Sequence, residues 1–433
     1  MGRVFFTQYR KGRTGVEAFA GSILDHARKL GVEIASECGG LGTCGRCVVR
    51  IEKGAEALNQ KTDAEREHNL GPDERLACQA RILNTDANVT VVIKDFGNYT
   101  ILSESLETKV ALAPAVSKAG QSVVHESGGE LDRYGGAILG LAVDVGTTTL
   151  VGQVLDLVDG RALASFARKN PQIAYGNDVI SRIGHTMTHE GGLQELQASV
   201  VGGINEELAK LERGGSFQRR FVYEVVAVGN STMRDIFFGQ PVETLGVIPF
   251  ESCNPAAITK KAVDIGLGVN PNAVVYSPPL IGGHAGTDAL ADVLACGMYR
   301  HDHVSMVIDI GTNGEVAVGN RDRIMTASCA AGGAYEGATT ECGVGAIDGA
   351  IKNIWLSDGS VGYETIGGKP AVGMCGSGLI DLLAELLRHG IMTDKAKLKE
   401  PFHVTDSIRL TQQDVYQLIT AKAGLRLDQD LLI

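Results

Sequence analysis

The sequence predicts an α+β multidomain chain in which a small strand-rich N-terminal unit precedes a larger, internally duplicated α/β region. Three observations carry that prediction. A glycine-rich loop, "ECGGLGTCGRCVVR" (37–50), holds three of the nine cysteines. Two matching strand–turn–strand segments stand 165 residues apart, a domain-sized separation. The length of 433 residues exceeds what one hydrophobic core supports, so two to four domains are expected.

Composition narrows the class. With 44% hydrophobic and 21% charged residues the chain has ample apolar material for folded cores. The 56 glycines are nearly double the usual share of about 7%, which points to tight turns and close backbone approach to ligands. A formal charge of −11 and only 5% aromatic residues argue against a nucleic-acid partner. The start, "MGRVFFTQYRKGR", returns to charge too soon for a signal peptide, and "AILGLAV" falls far below the roughly 18 apolar residues of a membrane span. A cytoplasmic location without a membrane partner is expected, with cysteines reduced or metal-bound rather than paired.

From the N-terminus, "SILDHARKLGVEIASE" reads as a helix from about Ser22 to Leu30 and an extended lead-in, while "CVVRIEKG" and "ANVTVVIK" alternate like strands. Between them lie Cys38, Cys44 and Cys47, with Cys78 thirty residues further on. Four thiolates, three from one loop and one from a returning segment, suit a [2Fe–2S] cluster. Gly39, Gly40, Gly42 and Gly45 let the loop curl and aim its amides inward at an anionic core. Zinc is the competing metal, but it normally takes two CxxC-like pairs or histidine partners, and one CxxC is present. The stretch resembles the [2Fe–2S] ferredoxin domain, which implies a β-grasp fold over residues 1–97. The five-residue first gap looks more like hydroxylase-type than plant-type ferredoxins.

Residues 98–137 carry mixed signals and read as a linker or small connecting domain. The repeat follows. "LAVDVGTTTLVGQVLD" (141–156) and "MVIDIGTNGEVAVGN" (306–320) each run apolar strand, aspartate, apolar residue, Gly-Thr, second strand. Such a turn converges amides and hydroxyls on a small anion, and the adjoining carboxylate suits Mg²⁺ held through water. Neither copy is a P-loop. One copy alone is as readily a plain hairpin with a polar turn; two copies favour function.

The paired hairpins resemble the phosphate motifs of the acetate and sugar kinase, Hsp70 and actin superfamily, which implies ribonuclease-H-like halves over 138–302 and 303–433 closing on ATP and Mg²⁺. The resemblance carries Asp144, Gly146, Thr147 and Thr148 onto the first phosphate motif and Asp309, Gly311, Thr312 and Asn313 onto the second. Glu315 is the candidate for ordering the attacking water. Gly332 and Gly333 of "GGAYEGA" and Gly376 and Ser377 of "CGSG" are expected to line the cleft. The superfamily's late strand, whose Gly-Gly turn contacts adenosine, has no counterpart, since "LTQQDVYQLITAKAGLRLDQDLLI" reads as a helix. The expectation is a C-terminally incomplete second half, because "LRLDQDLLI" ends on apolar residues that need a packing partner.

A ferredoxin unit followed by "NPQIAYGNDVISRI", "VAVGNSTMRDIFFG", "GGAYEGATTECGVGAIDGAI" and "GMCGSGLIDLLAELL" resembles the reductive activators of corrinoid proteins over almost the whole chain. That implies ATP-driven electron transfer from the cluster to a Co(II) corrinoid protein of a methyltransferase system, with an upstream reductase or ferredoxin as electron source. Two other readings stay open: a small-molecule kinase with a redox-sensing cluster, and a plain electron carrier with a docking module. His185 and His189 lie four apart but lack the HExxH glutamate, so packing or solvation is expected. His284 sits in a glycine-rich turn, near the nucleotide or partner or in a structural hydrogen bond. Cys253, Cys296, Cys329, Cys342 and Cys375 are expected in the core, and Trp355 is expected to pack.

Overall fold

The computed structural model describes residues 2–433 except 8–14, 33, 35, 37, 39, 44, 46, 69, 94–111, 331, 332, 338, 339, 358 and 359. The N-terminal unit is a five-stranded sheet crossed by the helix Ile23–Leu30. Strand Arg3–Phe6 pairs parallel with Val89–Ile93, which pairs antiparallel with Val48–Lys53. The helix begins at Ile23, one residue after the expected start, because Ser22 serves as its N-cap in a reciprocal capping box with Asp25. Its inner face buries Ile23, Leu24 and Ala27 against Val4, Phe6, Val49 and Val91.

A buried ion pair fixes the segment that carries Cys78. Glu65 is fully buried, and its carboxylate accepts from Arg75 Nε (2.7 Å), Arg75 Nη2 (3.0 Å) and the Leu76 amide (3.0 Å). Burial opposes ionisation of Glu65, yet these bonds and the Thr62 amide outweigh it and hold the carboxyl below its ordinary range.

The connecting stretch contains, among the described residues, a three-stranded antiparallel sheet of Val116–Ala119, Ser122–His125 and Glu130–Arg133. It packs Val116 and Val123 on Ile138 and Tyr223, and Tyr223 Oη donates to Asp132 (3.1 Å). The stretch thereby becomes part of the wall of the next unit.

That unit is built on a six-stranded sheet. Ala162–Lys169, Thr149–Asp156 and Leu139–Val145 run antiparallel in succession; Val222–Val228 and Val274–Ser277 continue parallel to Leu139–Val145, and Ile258–Lys261 closes the edge antiparallel. The 22-residue helix Gly192–Arg213 buries Leu196, Val200, Val201, Ile204 and Leu208, the i, i+4 spacing of one helical face. The second unit repeats the opening meander with Ser305–Ile310, Asn313–Gly319 and Ile324–Ala330. The long helix Gln412–Leu432 lies on this sheet, setting Leu425 against Val316 and Val318. These halves place both Gly-Thr turns at strand ends facing one another.

Some expectations are corrected. Cys253 and Cys296 are exposed rather than in the core, one on an irregular loop and one at a helix end. Trp355 is 44% exposed; its indole lies over Gly362, where any Cβ would fall 2.3 Å from the ring, so it packs on the backbone of one hairpin and not in the interior. Among the described residues no helix is long and apolar enough to cross a membrane.

Replacing Glu65 by Gln leaves a buried guanidinium without its counter-charge, and is expected to destabilise the N-terminal unit by about 3–5 kcal/mol. The Glu65 carboxyl titrates lower folded than unfolded, so its contribution is present above the unfolded value and disappears as pH falls through the folded one. Thermal melts at pH 7 and pH 3, read from the N-terminal unit, should show a large wild-type advantage over Glu65→Gln at neutral pH and a small one in acid. An equal difference at both values would contradict this assignment.

Candidate functional site

The first site is the cysteine loop. Cys47 ends its irregular run at the start of strand Val48–Lys53, and Cys78 follows strand Glu74–Leu76; the Ala77 amide donates to the Cys47 carbonyl (2.8 Å), locking the two together. Their sulfurs stand 3.4 Å apart, both buried. A disulfide needs about 2.05 Å, whereas two thiolates on one tetrahedral ion at about 2.3 Å are separated by about 3.8 Å. Cys38 is half-buried nearby, and its charge acts on Cys78. Cys44 lies outside the described residues. The loop glycines do what their position requires: Gly42 has φ of +81°, and a Cβ there would meet the Gln79 side chain at 2.8 Å. Gln79 Nε2 donates to the Gly40 carbonyl (3.2 Å), tying the loop to the segment beyond Cys78. This soft, buried thiol set with positive-φ glycines fits a [2Fe–2S] cluster.

The second site is the cleft between the two hairpins, a cavity of about 260 Å³. Its lining includes Asp144, Gly146, Thr147, Thr148, Asp309, Gly311, Thr312, Asn313 and Glu315, so nine residues expected from the sequence converge there. The two turns differ in length. Val145 pairs with Leu150 across four residues, while Ile310 pairs with Gly314 across three. Glu315 stands opposite Asp309 in the ladder, buried, and accepts from Ser328 Oγ (3.2 Å). Thr148 Oγ1 and Thr312 Oγ1, one from each turn, meet at 2.8 Å.

Four further cleft or near-cleft residues escaped the sequence reading. Glu336 accepts from both threonine hydroxyls, at 3.0 Å from Thr148 and 2.7 Å from Thr312. Asn230, following the central strand, donates to Thr147 Oγ1 (2.8 Å). Asp288 opens the helix Thr287–Cys296, and Asp292 lies one turn along it, facing the same carboxylates. No repeat marks these positions; the fold alone brings them in. Asp288 stands four residues after His284, the residue that drew notice in that stretch, whereas His284 itself lies against the Phe250 ring (5.9 Å) and outside the lining.

Gly332 lies outside the described residues. Gly333, Gly376 and Ser377 are described but are not among the residues lining the cleft. Ser377 Oγ donates to the Lys352 carbonyl (2.7 Å), and a Cβ on Gly376 would fall 1.6 Å from the Tyr335 carbonyl oxygen, so this glycine lets a helix start against backbone. His185 Nε2 donates to the Glu195 carboxylate (2.9 Å) and its ring stacks on His189 (4.3 Å), a packed pair as expected.

The cleft's electrostatics identify its missing charge. Burial, then repulsion from Asp288, Asp309 and Asp292, pushes Asp144 up to about 7; Asp144 opens to the cleft but is walled by protein on its other sides. The same causes raise Asp292 to about 7, Asp288 to about 6 and Glu315 to about 8, and Asp309 is also raised by burial. Five carboxylates crowded together favour a divalent cation, and the hydroxyls and turn amides beside them favour phosphate oxygens. Cation binding must then displace protons. Raised pKa values mean protonated carboxyls below about pH 7, so Mg²⁺ affinity in the presence of ATP should rise between pH 6 and 8, by about tenfold per unit where one proton is released. Calorimetry in two buffers of different ionisation enthalpy should detect that release at pH 7; buffer-independent heats would refute it.

Comparison with known proteins follows the same division. Residues 7–83 match the model described as "2Fe-2S iron-sulfur cluster binding domain", 139–301 match "RACo middle region", and 303–433 match "C-terminal domain of RACo the ASKHA domain". The chain is 30% identical over 411 residues to "Corrinoid activation enzyme RamQ" of Eubacterium limosum, covering 86% of this chain and 69% of that one. It is 26% identical over 321 residues to "[Co(II) methylated amine-specific corrinoid protein] reductase" of Methanosarcina barkeri, covering 66% and 58%. Among solved structures, "Reductive activator for corrinoid,iron-sulfur protein" superposes with a TM-score of 0.66 at 26% identity, covering 98% of this chain and 82% of that one. The chain belongs to the RACo family, the reductive activators of corrinoid proteins.

Proposed function

We propose that this chain activates a corrinoid protein by reducing its Co(II) to Co(I), using ATP hydrolysis to drive an otherwise uphill electron transfer. The observation that carries the reading is the joining of a thiol loop fit for a [2Fe–2S] cluster to a cleft of two facing phosphate hairpins on one chain. Relatives along the chain's length bear names that specify corrinoid activation or Co(II) corrinoid protein reduction. The partner is a corrinoid protein of a methyltransferase system, and a separate reductase or ferredoxin supplies the electrons.

When bound, the cluster supplies single electrons at low potential, about −400 mV in plant-type examples. Cys38, Cys44, Cys47 and Cys78 hold it, and the burial of Cys47 and Cys78 keeps water from that side. In the cleft, Asp144 and Asp309 would hold Mg²⁺, which would supply charge to offset the phosphates, while Thr147, Thr148, Thr312 and Asn313 would orient those phosphates. Glu315 lies on the strand facing Asp309; burial and the neighbouring acids raise its carboxyl to about 8, so it is mostly protonated at neutral pH. It would lose that proton on cation binding in the cluster, which frees the carboxylate to accept one from an attacking water. The water's oxygen joins the terminal phosphorus, the bond to the bridging oxygen breaks, and ADP and phosphate leave. Glu336 accepts from one threonine hydroxyl of each turn and so links the two hairpins. A deficit of about 59 mV for one electron is a tenfold unfavourable ratio, which sets the scale of what hydrolysis has to overcome.

The test is anaerobic reduction of a Co(II) corrinoid protein, followed by loss of the Co(II) paramagnetic signal with and without ATP. The expected result is ATP-dependent loss in wild type and a fall on the order of 100-fold in Asp309→Asn, the cost of several kcal/mol of charge stabilisation. Cobalt reduction that ignores both ATP and the substitution would make the second half a docking module, and a phosphorylated small molecule formed without any corrinoid protein would make the chain a kinase.

A further inference from the structure

The two sites are joined through one turn. Asn170 donates its side-chain amide to the Gly146 carbonyl (2.8 Å) and its backbone amide to the Thr148 carbonyl (2.8 Å), gripping the first phosphate turn from outside. Arg182, fully buried, donates Nη2 to the Thr147 carbonyl (2.6 Å), Nε to the Gly176 carbonyl (2.9 Å) and Nη1 to Gln172 Oε1 (3.0 Å). Its fork therefore binds the phosphate turn on one side and both ends of the segment Gln172–Gly176 on the other. All of these acceptors are neutral, and burial pulls the guanidinium down to about 9, so it is held for geometry rather than by an ion pair.

The outer side of the same segment is the seat of the N-terminal unit. Arg28 Nε donates to the Ala174 carbonyl (2.7 Å), its Nη2 reaches the same oxygen, and its guanidinium carbon lies 4.9 Å from the Tyr175 ring centroid. Arg28 stands in the last turn of helix Ile23–Leu30. At the other end of that helix the Leu24 amide donates to the Ala77 carbonyl (2.9 Å) and the Ile23 amide to the Ala80 carbonyl (2.8 Å), bracketing Cys78. Cys78 is also close enough to act on the Arg28 charge. A path of hydrogen bonds, joined by the chain segments 172–176 and 23–28, thus leads from the Gly146–Thr148 carbonyls through Arg182 and Arg28 to the segment that carries a cluster ligand.

We propose that Arg182 and Arg28 are positioning residues of a relay, through which phosphate occupancy of the first hairpin changes how helix Ile23–Leu30 is seated and hence where the Cys78 segment stands. The inference rests on the reading of the cleft as a nucleotide site. Neither residue touches the phosphates or the thiol sulfurs. Phosphates entering the turn draw on Thr147 and Thr148, whose carbonyls Arg182 and Asn170 hold, so any shift there pulls the segment on which Arg28 sits. Lysine at either position keeps the charge but loses the fork that binds two groups at once.

Amide hydrogen exchange of the intact chain, with and without Mg²⁺ and ATP, tests the relay. In wild type, nucleotide should alter exchange in three stretches: 139–156, 170–183 and 23–31. In Arg28→Ala the first two should respond as before while 23–31 becomes indifferent; in Arg182→Lys the response should stop after 139–156. The ATP stimulation of corrinoid reduction should fall by about tenfold in Arg28→Ala, within the range of ordinary coupling, with the KM for ATP unchanged. Arg28→Lys, which retains one donor, should recover part of it. The Arg28 side chain is 17% exposed and lies outside the apolar core of its unit, so its variant decides the question even if Arg182→Lys fails to fold. A response of 23–31 in Arg28→Ala equal to wild type, or none in wild type while 139–156 responds, overturns the relay and leaves the function standing. No response of 139–156 in wild type overturns the nucleotide reading and the relay with it.

Discussion

Like charges held close together govern this molecule. Asp144, Asp288, Asp292, Asp309 and Glu315 come from both halves of the duplicated region, and each raises the cost of ionising the others. Such a cluster persists only where the surrounding fold determines its position. The sheets supply that determination: Asp144 and Asp309 are fixed by ladders on both sides, and Asp288 by the helix that follows Gly286. A divalent cation offsets that charge and would also bind phosphate oxygens, so the energetic strain in the cleft and its chemical use have the same origin.

The same economy of geometry operates at the thiol loop. Cys47 and Cys78 are presented by neighbouring strand ends, and the Ala77-to-Cys47 backbone bond sets their spacing before any metal is considered. The Glu65–Arg75 pair anchors the strand leading to Cys78, and Gln79 anchors the loop on the far side. A buried ion pair is an uncertain source of net stability, but it is an effective way to fix register, which is what a multi-sulfur site demands.

Between the sites, polar contacts do the joining where apolar packing does the filling. The segment Gln172–Gly176 meets the phosphate turn through Asn170 and Arg182 and the N-terminal helix through Arg28. Because most of its acceptors are backbone carbonyls, side-chain substitutions within the segment, Gln172 and Tyr175 apart, are tolerated more readily than loss of the guanidinium forks that read them. An interface of few, directional bonds can loosen and re-form without unfolding either unit, as an electron-transfer domain requires.

Much of this was legible in the residues themselves. The cysteine spacing, the helix from about Ser22, the two strands flanking the loop and both Gly-Thr hairpins follow from local periodicity and turn chemistry, which act over a few neighbouring residues. Recognition of the combined motifs extended that to the family. Position in the cleft was another matter. Glu336 and Asp292 sit in stretches with no repeated signal, and Gly376, Ser377 and Gly333 carried a glycine signal that packing rather than the cleft lining accounts for in Gly376. Nothing in its local sequence marks Arg182; the fold buries it against the Thr147 and Gly176 carbonyls and the Gln172 and Met233 side chains. Sequence alone determined which chemistry each unit carries, because turns and ligand sets are local; only the tertiary structure decided which charges meet and how the two units touch, because those contacts join separate elements, 165 positions apart for Asp144 and Asp309 and 146 for Arg28 and Ala174.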